Sequence, residues 1–161
     1  MLIDNFNFCK DYFILDLNKS LDFELRFPDF LPCSENERLK TTSKGKMYKN
    51  PLLQRQRDLI FILMQSQGLH NKIDTFNLKA YSLQISFIFS YKQLLTSNKE
   101  LRKNDLDNYL KPLQDDIIYF FNEKDIKIDD CQCIDLHTRK WYDDKLNDKE
   151  TLIKVHMDFF Y

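Results

Sequence analysis

Two stretches of this chain alternate apolar and polar residues so regularly that they require a sheet. Leu21, Phe23, Leu25 and Phe27 interleave with Asp22, Glu24 and Arg26. Tyr81, Leu83, Ile85, Phe87, Phe89 and Tyr91 alternate with polar or smaller residues. Strand side chains repeat every two residues, so each pattern lays one apolar row along one face. A third strand is read from about Ile128 to Tyr142. A fourth follows the charged turn Asp143–Lys149, with Leu152 or Ile153, Val155, Met157 and Phe159 as its apolar positions.

Helices occupy the gaps. Pro28 and Pro32 end the first strand and open a polar, basic stretch from Ser34 to Asn50, read as an exposed loop. Pro51 stands where a first helical residue belongs and Gly68 where a helix ends. Between them Leu52, Leu59 and Leu63 mark an apolar face, with Arg55 and Gln56 facing elsewhere. A polar connection, Lys92–Asn104, leads to Pro112. That proline reads as the first turn of a second helix reaching about Phe121, with Leu113, Ile117 and Phe120 inward. The order predicts an α+β fold: a single domain whose mixed sheet is packed against two main helices. Residues 21–161 carry this pattern, and residues 1–20 form an N-terminal extension with little readable periodicity.

Composition narrows the function classes. With 161 residues, 30% charged and 43% hydrophobic, the chain is expected to be one soluble domain rather than a disordered segment. Its longest apolar run, Leu59–Met64, falls far short of the roughly 20 residues of a membrane span. No signal peptide is read at the N-terminus. Cys9, Cys33, Cys131 and Cys133 do not form a disulfide framework, and reduced thiols in a cytoplasmic protein are expected. Three scattered histidines, His70, His137 and His156, lack the clustering that zinc requires.

Net charge is −1, yet it is unevenly spread. Seven cations and no acid lie from Arg38 to Arg57, whereas eight acids and three cations lie from Met1 to Glu37. Such a chain can present a positive face to a polyanion while remaining near neutral overall.

Two short patterns carry chemistry: Asp105-Leu106-Asp107-Asn108-Tyr109-Leu110-Lys111, then Asp129-Asp130-Cys131-Gln132 at the head of a strand. In an extended segment Asp105 and Asp107 project to one side, and two carboxylates so placed repel unless a cation sits between them. Hard oxygen ligands with open positions suit Mg2+ or Mn2+, and Asp130 or Asp129 supplies a third. Lys111, four residues beyond Asp107, is placed to meet a phosphate oxygen. Asp-rich turns also serve as helix caps. A calcium loop is a poor match, because neither its central Gly nor its distal Glu follows Asp105. His137 and Arg139 share a face with Cys133 and Asp135 if their strand is regular.

Asp-Leu-Asp-Asn-x-x-Lys followed by Asp-Asp-x-Gln resembles the RusA family of Holliday junction resolvases. Arg102-Lys103 is similar to the family's basic run before the first carboxylate. Asp115-Asp116-Ile117 occupies the place of its Asp-Ala-Leu, and Lys140 that of a basic residue on the following strand. Pro32-Cys33-Ser34-Glu35-Asn36 is similar to its Pro-Pro-Ser-x-Asn, with Cys33 in place of the second Pro. The resemblance implies metal ligation by Asp105, Asp107 and Asp130 and a catalytic role for Lys111. It further implies Mg2+-dependent, paired cutting of four-way DNA junctions by a homodimer, with Mn2+ able to substitute. Arg38, Lys44, Lys46, Lys49, Arg102, Lys103 and Lys140 are the expected DNA contacts. The competing expectations are a non-catalytic DNA-binding relative and a metal-binding structural protein.

Overall fold

A computed structural model describes residues 17–29, 32–33, 39–41, 43–45, 47–73, 78–101 and 106–161. Strand β1 (Leu17–Phe27) buries Leu21, Phe23, Leu25 and Phe27 and leaves Asp22, Glu24 and Arg26 in solvent, as the alternation requires. Strand β4 (Ala80–Phe89) buries Tyr81, Leu83, Ile85, Phe87 and Phe89 on the same side of the sheet. Ser82, Ser86 and Ile88 on its other side are also buried, which marks β4 as an interior strand. In β6 (Thr151–Phe160) the inward row is Ile153, Val155, Met157 and Phe159, which settles the choice between Leu152 and Ile153.

The sheet order is β1-β6-β4-β5, where β5 spans Cys133–Tyr142. Strand β6 runs antiparallel to both neighbours, and β4 and β5 are parallel, so the sheet is mixed. A parallel pair needs a crossover, and helix α3 (Leu106–Asn122) lies within it. Helix α1 (Pro51–Ser66) packs against α3 and β1. Phe120 stacks edge-on against both Phe61 of α1 and Phe121, and Phe121 meets Phe159 of β6 at 6.1 Å, so aromatic rings weld both helices to the sheet. No helix among the described residues is long and apolar enough to cross a membrane. Cys33, Cys131 and Cys133 are free thiols.

Helix α1 keeps its expected ends. Asn50 caps it by accepting from the Leu52 amide, Pro51 opens it, and Gly68 takes the left-handed φ of 61° just beyond. Its inward face is Gln56, Ile60 and Met64, whereas Leu52 is exposed and Leu59 and Leu63 are half-buried. The expectation that Gln56 points outward is therefore overturned, because buried polar partners hold it inside.

Four further differences have local causes. Helix α3 starts at Leu106, so Pro112 lies within it rather than in its first turn. Proline lacks an N–H, so the Asn108 carbonyl loses its bond from residue 112, but the ring is buried and the helix continues. Tyr91 leaves the strand to begin α2 (Tyr91–Leu94), because Ser90 and Gln93 form a capping box. The basic stretch contains a small hairpin, β2 (Leu39–Thr41) with β3 (Met47–Lys49), whose turn holds Gly45 at φ 77°. The strand read from Ile128 begins only at Cys133, after a 3-10 turn at Asp130–Gln132.

Candidate active site

Helix α3 is held by its apolar side: Leu113, Ile117 and Phe120 are fully buried, and Tyr109 packs on Phe87 and Phe89 of β4. Its opposite rim presents Asp107, Lys111 and Asp115, each four residues from the last and so adjacent along one stripe. The Lys111 ammonium lies 2.7 Å from Asp130 Oδ2 and 3.1 Å from Asp115 Oδ1. The helix and the turn ahead of β5 thus converge on one cation, with the Lys111 and Asp130 side chains 43% and 53% exposed. Its hydrogen bond to Asp130, opposed by partial desolvation and aided by Asp115, raises the Lys111 pKa and keeps the ammonium charged.

Asp130 is placed by a short chain of local bonds. Asn122, at the end of α3, bonds both the carbonyl and the amide of Ile128, whose side chain is buried. Asp129 then caps the 3-10 turn: its Oδ1 accepts from the Cys131 amide at 3.0 Å, while Gln132 Oε1 accepts from the Asp129 amide at 2.8 Å. The Cys131 amide holds the Asp129 carboxyl below its ordinary range. Neighbouring aspartates therefore divide the work. One shapes the turn, and the other reaches Lys111.

Behind this rim lies a second acid that sequence reasoning gave no role. Asp116 is 4% exposed and accepts from Gln56 Nε2 and Arg57 Nε, each at 2.9 Å. Gln56 Oε1 in turn accepts from the Cys33 amide at 2.6 Å, linking the segment after β1 to α1 and α3. Burial raises the Asp116 pKa against the lowering pull of Gln56 and Arg57. The signal for Gln56 was helical phase, since it precedes Ile60 and Met64 by one and two turns. The Arg57 guanidinium rests 4.8 Å from the Tyr119 ring. It borders an open cavity of about 390 Å3 that also includes Asp115, Asn122, Asp129 and Asp130.

The other expected site residues are distributed as follows. Asp107 is exposed and lies in the first turn of α3, so its own backbone is helical and not extended. Asp105, Arg102, Lys103, Arg38 and Lys46 lie outside the described residues. Lys44 is exposed in the hairpin turn, Lys49 belongs to β3, and Lys140 is half-buried on β5 opposite Phe87. A register shift near Tyr81 pairs Cys133 with Tyr81 and Asp135 with Ser82, so Cys133 parts from Asp135, His137 and Arg139. The regular-strand expectation for that face is corrected accordingly.

Among the described residues no three His, Cys, Asp or Glu side chains gather as a metal-holding group. Asp107 and Asp130 offer carboxylate oxygens, the donor type that fits Mg2+ or Mn2+. A mixed sheet with its exposed acids and a lysine gathered where a crossover helix meets the next strand defines an α+β protein with a carboxylate-rich rim. The sequence profile of endodeoxyribonuclease RusA matches residues 29–156, most of the chain, and the chain belongs to that family. Nucleases of the family generally depend on a divalent metal. Curated proteins give no match to the sequence.

Proposed function

We propose that this chain is a Mg2+-dependent endonuclease that resolves four-way DNA junctions in recombination and repair, with Asp105, Asp107 and Asp130 as metal ligands. The observation that carries this reading is the 2.7 Å contact between Lys111 and Asp130. It joins the two halves of the motif, nineteen residues apart, inside the span matched by the nuclease family. Mg2+, or Mn2+ in its place, would polarise a phosphodiester oxygen and make water a better nucleophile there.

The chain's own groups do the rest. Lys111, kept protonated by two acids, acts as a fixed positive charge toward a phosphate oxygen and not as a base. Asp129 and Asn122 hold the turn that aims Asp130. Arg38, Lys44, Lys46, Lys49, Arg102, Lys103 and Lys140 contact the DNA backbone, a sequence-independent grip. One set of three carboxylates serves one phosphodiester, and clean resolution needs two cuts. A two-fold homodimer supplies the second site and matches the junction's own symmetry.

The test is a synthetic four-way junction beside a linear duplex of the same arms, each incubated with protein and Mg2+. Paired cuts in the junction and an intact duplex are expected. Equal cutting of both, or no cutting with Mg2+ or Mn2+, would overturn the proposal.

A further inference from the structure

Lys111 has two carboxylate partners, and they are built differently. Asp115 lies four residues further along α3, so the helix itself fixes the spacing, and its Oδ1 is 3.1 Å from the Lys111 ammonium. Asp130 belongs to the turn ahead of β5, and its Oδ2 is 2.7 Å from the same nitrogen. The first contact stays within one element, whereas the second crosses from helix to turn. All three side chains reach solvent, so either contact can break without opening the core.

The proposed metal ligands lie to one side of this lysine. Asp107 precedes Lys111 by one helical turn and Asp115 follows it by one. A divalent ion held by Asp107 and Asp130 would compete for the carboxylate that Lys111 now contacts. An ion and an ammonium on the two oxygens of one carboxylate would remain close enough to repel. A lysine with no other partner would therefore oppose the ion. Asp107 and Asp115 stand roughly 12 Å apart along the helix axis, so a shift toward Asp115 takes the ammonium away from the ligand pair. The flexible four-carbon stem of lysine allows that swing while the helix stays in place. Neighbouring acids are already engaged: Asp116 accepts from Gln56 and Arg57, and Asp129 accepts from the Cys131 amide.

We propose that Asp115 is a positioning residue for Lys111, taking over the ammonium when Asp130 turns to a divalent ion and so keeping a cation beside the reacting phosphate. The inference rests on the metal-dependent reading above and adds to it an acid that neither holds the ion nor touches DNA. Lys111 bridging both acids is one end of this exchange, and Lys111 on Asp115 alone is the other. Asp115 then matters to ion binding only through the lysine. That dependence separates it from a ligand, whose loss would weaken the ion whether or not Lys111 were present.

Mn2+ binding to the full chain without DNA, read from loss of the free-ion EPR signal, tests this in a cycle of four proteins. They are the parent, Asp115→Asn, Lys111→Met and the two changes combined. In the parent background Lys111→Met should raise Mn2+ affinity by about threefold or less, because Asp115 already receives the ammonium. In the Asp115→Asn background the same change should raise it by about tenfold or more, because there Lys111 has only Asp130 to hold. Asp115→Glu keeps a carboxylate on the same helical face and should bind Mn2+ as the parent does. Lys154→Met serves as the charge control: that lysine pairs with Glu24 on the other face of the sheet, and its loss should leave Mn2+ affinity unchanged.

Equal gains from Lys111→Met in both backgrounds would overturn the inference, marking Asp115 as a ligand or a bystander and leaving the nuclease reading intact. A parent chain that binds no Mn2+ at millimolar concentration would overturn the inference and the metal-dependent reading together. The expected coupling in a chain that cuts no junction would support the exchange and count only against the nuclease reading.

Discussion

Helix α3 carries two acid–base contacts that look alike in composition and differ in setting. On its rim, Lys111 meets Asp115 and Asp130 in solvent. On its inner side, the buried Asp116 meets the buried Gln56 and the partly exposed Arg57. Solvent screens the first set, so it contributes little to folding and its groups are available to exchange partners. In the second, Asp116 and Gln56 are enclosed, and the Gln56 amide would lose its partner if the carboxylate were removed. Burial, more than residue type, separates the aspartates that hold the fold from those available for chemistry.

The largest expected effect lies on the rim. Asp107→Asn and Asp130→Asn should each slow junction cutting by at least about 10²-fold, with thermal unfolding nearly unchanged, since metal catalysis requires charge and not shape. Parent-like cutting by either variant would break the comparison. Asp129→Asn should be milder, because it weakens a turn cap. The inner contact should respond in the opposite way. Asp116→Ala leaves the fully buried Gln56 amide without its acceptor and should cost about 2 kcal/mol in urea unfolding. An unchanged midpoint would show the buried contact to be dispensable. Lys111→Met removes exposed ion pairs and should cost under about 1 kcal/mol of stability whatever it does to catalysis.

The smallest effect is a pH trend. Burial raises the Asp116 pKa above its ordinary 3.8, so the folded state holds that proton more tightly than the unfolded chain. The stability Asp116 confers is therefore greatest at and below the unfolded pKa and declines as pH rises through the folded one. Urea titrations of the parent and Asp116→Ala should show the gap between them narrowing from acid toward neutral pH. A gap that widens with pH would mean that Gln56 and Arg57 outweigh burial.

Strand β1 was legible because it buries one face and leaves the other in solvent, which alternation reports directly. The ends of α1 were legible because Pro51 and Gly68 report backbone angles directly. Pro112 misled by the same logic: proline favours a first turn, but here it sits within a helix that begins six residues earlier. Asp107 was read as extended for that reason. Gln56 was placed outward because polarity is a weak guide where a buried acid supplies the partner. The division between Asp129 and Asp130 depends on a turn whose bonds reach back to Asn122, and the register shift of β5 depends on its neighbour. Neither is local in sequence. The motif singled out Lys111 and Asp130 separately, one for a phosphate and one for a metal, and their contact at 2.7 Å was not read from it.

Strand β6 lies between β1 and β4 although it is the last strand in the chain. Ser20 bonds Asp158 across 138 residues of sequence, and among the described residues β1 pairs with no strand but β6. During synthesis β1 emerges first, and the backbone edge that pairs with β6 waits until residues 151–160 have left the ribosome. Contacts so distant in sequence make folding slow and expose the waiting chain to aggregation. The order of strands thus acts as a clock: α3 and the Asp130 turn gain a finished sheet to stand on only after the last strand has been inserted.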